Sequence, residues 1–263
     1  MTQTIALTGG ASGIGAATLE RLEARGCAVF VIDKVAPQSS RATHIACDLT
    51  DVASIENAMH ELPDRLTGLV NVAGVATLPD EHHTVAINFL ALRMLTEQLL
   101  PRIDRGGSVV NVASTAGWKW REFMDQLRGL MDTEDFSSGM HWLTNNPALW
   151  RDAPYHFSKR CAVAYTYRAA QLGLEFGVRV NCVNPGVTQT ALSPEFRELV
   201  GDKLYDWGVE QIGRPAEPAD IAEVIEFLAV GECGWLNGQE LVVDGGYLAG
   251  IVGGWIDPSK APA

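Results

Sequence analysis

Seven short apolar runs recur along the chain, most of them rich in β-branched residues and ending in Gly, Asp, Asn or Ser. Runs of this length with such ends are typical of strands buried on both faces of a sheet. The pattern therefore predicts strands in TIALT (4–8), CAVFVID (27–33), THIACD (43–48), GLVNVAG (68–74), SVVNVAS (108–114), VRVNCVNPG (178–186) and ELVVDGG (240–246).

Helical patterns lie between these runs. Residues 16–25 place apolar positions among charges, and residues 85–103 are apolar around most of the circumference, which predicts a deeply packed helix. Residues 221–230 form a third helical pattern, with Asp220 as its predicted N-cap. Alternating strands and helices predict an α/β protein. Its expected fold is a doubly wound, seven-stranded parallel sheet of the Rossmann type with helices on both faces.

The length and the even composition predict one domain over residues 1–263, because a chain of this size can form a single core and has no linker-like stretch. Residues 251–263 follow the last predicted strand and are expected to form a C-terminal tail. Trp255 and Ile256 predict that this tail docks on another surface.

Composition and charge exclude several classes of protein. There is no apolar run long enough to cross a membrane and no visible signal peptide, so a cytoplasmic protein without a membrane partner is expected. The net charge of −12 argues against nucleic-acid binding. The five cysteines are widely spaced and lack a Cys-x-x-Cys pair, which predicts reduced thiols and no metal site.

A glycine-rich turn follows the first predicted strand in LTGGASGIG (7–15). Gly9, Gly13 and Gly15 let the backbone approach a pyrophosphate at the start of a helix. Asp33 ends the second strand eighteen residues after Gly15, where a carboxylate can accept hydrogen bonds from ribose hydroxyls and repel a 2′-phosphate. These features predict NAD as the cofactor, although Lys34 could tolerate a phosphate.

Asp48 has two possible roles at the end of the third predicted strand. It could cap the following helix, a role that Asp51 also fits, or it could lie near the adenine of the cofactor. The sequence does not separate the two roles.

Ser114, Tyr155 and Lys159 are the candidate catalytic residues. Tyr155 and Lys159 lie four residues apart, a spacing that places both side chains on one face of a helix. A phenol has a pKa of about 10, and a nearby ammonium is expected to lower it toward a useful base. Ser114 ends a strand and could hydrogen-bond the substrate oxygen. The three predict proton transfer coupled to hydride transfer at an alcohol or carbonyl carbon.

TGGASGIG, NVAG, YHFSK and NPGVTQT together resemble the single-domain short-chain dehydrogenase/reductase family, over residues 4 to about 247. The resemblance implies that Tyr155 is the general acid/base, that Lys159 also binds the nicotinamide ribose, that Ser114 positions the substrate oxygen and that Asn88 supports a proton relay. It implies further cofactor contacts from Gly9, Ser12, Gly13, Ile14, Gly15, Asp33, Asp48, Leu49, Asn71, Ala73, Gly74, Pro185, Gly186, Thr188 and Thr190.

Residues 118–153 depart from the pattern of most family members, since Ser114 and Tyr155 are forty-one residues apart. A few family members carry an insertion at this point, and the chain resembles the subgroup that contains 3α-hydroxysteroid dehydrogenase/carbonyl reductase and the coniferyl alcohol dehydrogenases. Four of the seven tryptophans and three of the six methionines lie between Trp118 and Trp150. The pattern predicts two amphipathic helices, the second starting near Ser137 or Ser138 and stopping before Pro147. They could form a lid, a subunit interface or a hairpin packed on its own domain.

The predicted function is NAD-dependent hydride transfer to or from an apolar cyclic or aromatic alcohol or its ketone or aldehyde, by a homodimer or homotetramer. A 3α-hydroxysteroid-type dehydrogenase/carbonyl reductase is the alternative within this class. A non-catalytic dinucleotide-binding regulator is the alternative from another class, and it usually lacks the tyrosine or the lysine. The apolar residues of segment 193–213 could close over the substrate: Phe196, Leu199, Leu204, Tyr205 and Trp207.

Overall fold

A computed structural model describes residues 2–262 and contains one seven-stranded sheet in which every strand pair is parallel. The strand order is β3-β2-β1-β4-β5-β6-β7. This order reverses direction beside β1, so the first crossovers build one half of the sheet and the later ones the other half. The strands are β1 (Thr4–Thr8), β2 (Ala28–Asp33), β3 (Thr43–Ala46), β4 (Leu66–Asn71), β5 (Ile103–Val112), β6 (Arg179–Pro185) and β7 (Glu240–Val243).

Helices connect the strands and form two buried clusters, one on each face of the sheet. The predicted doubly wound α/β fold is therefore confirmed. The α-helices are α1 (Gly13–Ala24), α2 (Val52–Glu61), α3 (Glu81–Val85), α4 (Leu92–Leu99), α5 (Met124–Met131), α6 (Phe136–Asn145), α7 (Pro154–Phe176), α8 (Ser193–Val200), α9 (Asp202–Ile212), α10 (Pro218–Val230) and α11 (Tyr247–Gly253).

Two helix boundaries differ from the prediction. The long helix predicted over 85–103 is α3, a π-helical turn over Ala86–Ala91, and α4, and β5 already begins at Ile103. Helix α10 has Glu217 rather than Asp220 as its N-cap, and Asp220 forms the other half of a capping box by accepting the Glu217 amide at 2.8 Å. Both errors arise because local pattern defines the interior of a helix better than its ends.

The insertion packs on the body of the domain. Helices α5 and α6 lie within residues 118–153 as predicted. Helix α6 begins at Phe136, one residue ahead of the earlier expected start, and Asp135 is its N-cap. The Trp142 ring of α6 stacks on Phe157 of α7 with 6.2 Å between ring centroids. Several insertion side chains belong to the main buried cluster: Trp120, Leu127, Leu130, Met131, Phe136, Leu143 and Trp150. Most of the apolar surface of the insertion is thus buried against its own domain and does not form a lid over the cleft.

The predicted C-terminal tail is partly helical. Its first residues belong to α11, and Ile256 is buried against Gly250, whose carbonyl accepts the Ile256 amide at 3.1 Å. The surface on which Ile256 docks is therefore α11 of the same chain, whereas Trp255 remains 67% exposed. Within residues 2–262, no helix has the length and apolarity needed to cross a bilayer.

Candidate active site

A cleft of about 850 Å³ lies where the carboxyl ends of the strands meet helices α7, α8, α9 and α11. Open parallel sheets bind ligands at this edge, beside the position where the strand order reverses. Most of the predicted cofactor residues line the cleft: Gly9, Ser12, Gly13, Ile14, Gly15, Asp33, Leu49, Ala73, Gly74, Tyr155, Lys159, Pro185, Gly186, Thr188 and Thr190.

The glycine turn has the shape needed to hold a phosphate group. Gly9 has φ +73°, and a side chain there would reach within 2.7 Å of the Ala73 backbone; one at Gly15 would reach within 1.9 Å of the Gly9 oxygen. Ser12 is the N-cap of α1 but accepts no capping hydrogen bond through its side chain from the described residues. The first amides of α1 are thus available to an anion, so this turn fits the pyrophosphate of a dinucleotide.

Asp33 is held in position by the turns on either side of it. Its carboxylate accepts the amides of Ala11 and Val35, both at 3.1 Å, which leaves further acceptor capacity on both oxygens. Lys34 does not extend its charge toward Asp33, because its Nζ lies 2.9 Å from Asp48 Oδ2.

Asp48 does not line the cleft and does not cap α2, which is capped by Asp51. Burial alone would raise the pKa of Asp48, but hydrogen bonds from Thr50 and Lys34 outweigh it and lower the pKa to about 2. Asp48 therefore stays ionised and fixes Lys34. What the structure gives Asp48 is this ion pair, which acts on the charge beside Asp33, while its contact with the cofactor stays a prediction.

Tyr155 and Lys159 lie on the first turns of α7, and Ser114 lies two residues after the end of β5. All three side chains line the same cleft and are almost completely buried. Lys159 Nζ lies 5.8 Å from the Tyr155 ring centroid and donates to the Val112 carbonyl at 3.1 Å. The parallel register of β5 and β6 and the packing of α7 on them bring the serine to the tyrosine despite the insertion between them in sequence.

Burial dominates the acid–base chemistry of this pair. It raises the pKa of the Tyr155 phenol to about 12, and the interaction with the Ser114 hydroxyl offsets only part of the increase. It also lowers the pKa of Lys159 to about 8. The expected lowering of the tyrosine pKa by the lysine is not seen, because desolvation of the phenolate dominates and the ammonium is directed at the Val112 carbonyl.

Asn88 lies in the π-helical turn behind the cleft and is 1% exposed. Its Nδ2 donates to the Val75 carbonyl and its Oδ1 accepts the Val75 amide, both at 2.9 Å. A side chain at Gly74 would reach within 3.1 Å of Asn88 Oδ1 and 3.3 Å of Lys159 Nζ, so these two groups flank Gly74. Asn88 therefore positions the loop beside Lys159 and does not itself line the cleft. A π-helical turn often marks a functional site.

Asn71 was predicted to contact the cofactor, but its side chain does not line the cleft. It is 2% exposed, and its Nδ2 donates to Asn111 at 2.9 Å and to Thr96 at 3.1 Å. Asn71 and Asn111 occupy matched positions of β4 and β5, so their amides link the strands inside the core. The NVAG motif contributes its later residues, from Val72 onward, to the cleft.

Helices α8 and α9 cover the catalytic end of the cleft. Phe196 packs edge-on against Tyr155 with 5.2 Å between ring centroids, and Leu199, Leu204 and Tyr205 also line the cleft. Trp207 was expected in this group but instead contacts Tyr247, with 6.2 Å between ring centroids. Tyr247 belongs to α11 and lines the cleft itself.

Part of the cleft wall is formed by residues that the sequence did not predict there. Leu248 and Ile251 of α11 line the cleft, and neither was predicted there: Ile251 was assigned to the C-terminal tail, and Leu248 lies between the last predicted strand and that tail. His156 and Arg160 also line it, one residue after each member of the Tyr–Lys pair. The sequence could have indicated them, because His156 and Arg160 are also four residues apart and therefore share the helix face next to that of Tyr155 and Lys159.

The fold and the cleft define a dinucleotide-binding α/β protein with a Tyr–Lys pair at the end of the cleft. The profile of the family described as short chain dehydrogenase matches residues 3–124, and that of Enoyl-(Acyl carrier protein) reductase matches residues 140–248. The chain belongs to the short-chain dehydrogenase/reductase family and is an oxidoreductase that acts on hydroxyl groups. Residues 125–139, outside both matches, fall within the insertion.

Relatives and solved structures show the same relationship. The chain is 34% identical to coniferyl-alcohol dehydrogenase of a Pseudomonas species, over 92% of this chain and 95% of that one. It is 28% identical to 3-alpha-hydroxysteroid dehydrogenase/carbonyl reductase of Comamonas testosteroni, again over 92% and 95%. A 3-alpha-hydroxysteroid dehydrogenase of Pseudomonas sp. B-0831 complexed with NADH superposes with a TM-score of 0.77 at 28% identity, covering 97% of this chain and 100% of that chain.

Proposed function

We propose that the protein is an NAD-dependent dehydrogenase/reductase of apolar cyclic or aromatic alcohols and their ketones or aldehydes. The observation that supports this most directly is the convergence of Ser114, Tyr155 and Lys159 beneath the apolar residues of α8 and α9. The nicotinamide, when bound, supplies or accepts the hydride. The apolar cover excludes water from the reacting carbon.

In this proposal Tyr155 moves the proton. Its raised pKa keeps the phenol protonated at neutral pH, so it is ready to donate to a carbonyl oxygen during reduction. Ser114 donates a second hydrogen bond to the same oxygen. Lys159 carries a positive charge below its pKa of about 8, and that charge favours the phenolate that forms as the proton leaves. Asn88 acts as a positioning residue through Val75.

The preference for NAD over NADP is supported by the arrangement of Asp33, Lys34 and Asp48. The Asp33 carboxylate faces the cleft, and the neighbouring cation is engaged by Asp48. A 2′-phosphate would therefore meet a negative charge without a free cation beside it.

Replacing Asp33 with asparagine is expected to lower kcat/KM for NAD by about 10- to 100-fold, because a charge-assisted hydrogen bond to the ribose contributes about 1.5–3 kcal/mol. Initial rates with NAD and NADP at equal concentration measure the preference. Asp51→Asn is the matched control, since Asp51 caps α2 away from the cleft. A wild-type enzyme that prefers NADP would contradict the proposal.

A panel of aryl, cyclic and steroid alcohols, followed by NADH absorbance, tests the substrate class. The aryl or cyclic alcohols are expected to be oxidised. The 3α-hydroxysteroid alternative is supported by similarity to enzymes of that name, and oxidation of steroids alone would favour it. A protein that binds NADH but oxidises no alcohol in the panel would be better described as a dinucleotide-binding regulator.

We also propose that the protein is a homodimer or homotetramer. Strand β7 ends the order of the described sheet and is paired there only with β6, while Val242 on it is 45% exposed. Trp255, close behind in sequence, is largely exposed as well. An unpaired edge with exposed apolar side chains is suited to contact with a second copy of the chain.

Size-exclusion chromatography with light scattering should give a molar mass that is a multiple of the 28.4 kDa chain, and Val242→Lys should shift that mass toward the monomer. A monomeric wild type would refute this.

A further inference from the structure

Two of the four cations in the cleft are engaged neither by an anion nor by a carbonyl oxygen within residues 2–262. Four basic residues line it, and two of them are engaged: Lys34 by Asp48 at 2.9 Å and Lys159 by the Val112 carbonyl at 3.1 Å. The others are Lys119 and Arg160, and within residues 2–262 no carboxylate oxygen lies within 4.0 Å of the charged nitrogens of either. The missing partner is unexpected for Arg160, which is half-buried, whereas Lys119 is exposed and its ammonium can be solvated.

The two cations belong to one wall. Arg160 lies four residues after His156, so both side chains share a face of α7 beside Tyr155. The chain contacts α7 both before and after Lys119, at Gly117 and at Phe123. A side chain at Gly117 would reach within 3.0 Å of the Lys159 carbonyl oxygen, and the centroid of the Phe123 ring lies 3.7 Å from the Arg160 guanidinium carbon.

The Arg160 guanidinium packs against the Phe123 ring but lacks a hydrogen-bond acceptor for its Nε among the described residues. That Nε is buried. A buried donor without a partner in a native protein calls for an acceptor outside the chain. Glu122 acts electrostatically on Arg160, but no oxygen of its carboxylate lies within the 4.0 Å of an ion pair.

Lys119 is held in an unusual backbone conformation. Its φ is +60°, and within residues 2–262 it is the one residue other than glycine with a positive φ. Its Nζ lies 4.9 Å from the Trp118 ring centroid, and both residues line the cleft. Strained backbone of this kind is concentrated at ligand-binding sites.

We propose that Lys119 and Arg160 bind a carboxylate of the substrate. This inference rests on the proposed function and narrows its substrate class to amphipathic hydroxy acids and the corresponding oxo acids. The alcohol or carbonyl carbon lies at Tyr155, the apolar body packs under Phe196 and its neighbours, and the carboxylate reaches the cationic wall. Arginine suits this role because its planar donors match the two oxygens of a carboxylate.

Calorimetric binding to the NADH-loaded enzyme tests the proposal, because an alcohol cannot react with the reduced cofactor. The probes are para-(hydroxymethyl)benzoate and its amide, with the matching phenylacetic and cinnamic pairs to vary the distance to the carboxylate. At least one acid is expected to bind about tenfold or more tightly than its amide, as a charge-assisted hydrogen bond provides. Arg160→Met and Lys119→Asn should each reduce that preference; asparagine tolerates a positive φ.

Arg128→Met is the matched control, since Arg128 is an exposed arginine of α5 outside the cleft; it should keep the full preference. Equal binding of every acid and its amide, or binding of none, overturns the inference. Oxidation of neutral benzyl alcohol separates this outcome from failure of the proposed function. Turnover of benzyl alcohol without an acid preference removes only the cationic site. An acid preference together with an active Tyr155→Phe variant removes only the catalytic assignment.

Discussion

Replacing Tyr155 with phenylalanine is expected to lower kcat by about 10²- to 10⁴-fold, the usual contribution of a positioned general acid or base. The phenol is buried beneath Phe196, so few waters can reach the substrate oxygen to replace its proton. The phenyl ring preserves the packing against Phe196, and the affinity for NADH should change little. Steady-state rates and NADH binding by fluorescence titration measure the two effects separately.

Tyr167→Phe is the matched control for that loss. Tyr167 lies on the same helix and pairs with Arg121, outside the cleft. Its phenylalanine variant should retain near wild-type turnover. A Tyr155→Phe enzyme with wild-type rates would show that another group moves the proton, and the catalytic assignment would then be wrong.

Replacing Lys159 with methionine is expected to remove most turnover and at the same time to stabilise the protein without bound cofactor. Burial lowers the lysine pKa from 10.5 to about 8, which corresponds to a cost of about 3 kcal/mol for the buried charge at pH 7. Methionine removes that charge but leaves the Val112 carbonyl without its donor, at about 1 kcal/mol. The free energy of unfolding should therefore rise by about 2 kcal/mol at pH 7.

The pH dependence provides the check. Between pH 8 and 10.5 the native wild-type protein binds fewer protons at Lys159 than the unfolded chain does, so its stability rises with pH through this window. The advantage of the methionine variant should be complete below pH 8 and disappear toward pH 10.5. Urea unfolding of both proteins at several pH values measures the difference in their free energies of unfolding. Both proteins contain Tyr155, so the raised pKa of its phenol contributes equally to each and cancels in the difference. A constant difference across the window would contradict the buried charge.

Much of the fold could be predicted because it depends on local patterns. The apolar runs indicated all seven strands, and the glycines of LTGGASGIG indicated the turn between β1 and α1. The spacing of Tyr155 and Lys159 indicated their shared helix face. Each of these features is specified within a few residues, by periodicity or by a backbone conformation that glycine allows.

Apart from the helix boundaries, the differences concern what surrounds a side chain rather than which element carries it. Asn71 belongs to a strand as expected, but the register of β4 with β5 directs it to Asn111 and away from the cleft. Lys34 follows Asp33 in sequence, but the approach of β3 to β2 brings Asp48 to it. Such pairings join residues from different strands, and one sequence without tertiary contacts does not specify them.

The insertion shows the same division. The sequence determined that residues 118–153 contain two amphipathic helices, because their apolar positions recur at helical spacing. Only the tertiary structure decided that those faces pack on α7 and the π-helical turn, that Phe196 instead covers Tyr155, and that burial sets the pKa of the tyrosine. The physical reason is that periodicity identifies which face of a helix is apolar and must be buried. The contacts and the desolvation of a side chain depend instead on which segment, distant in sequence, packs against it.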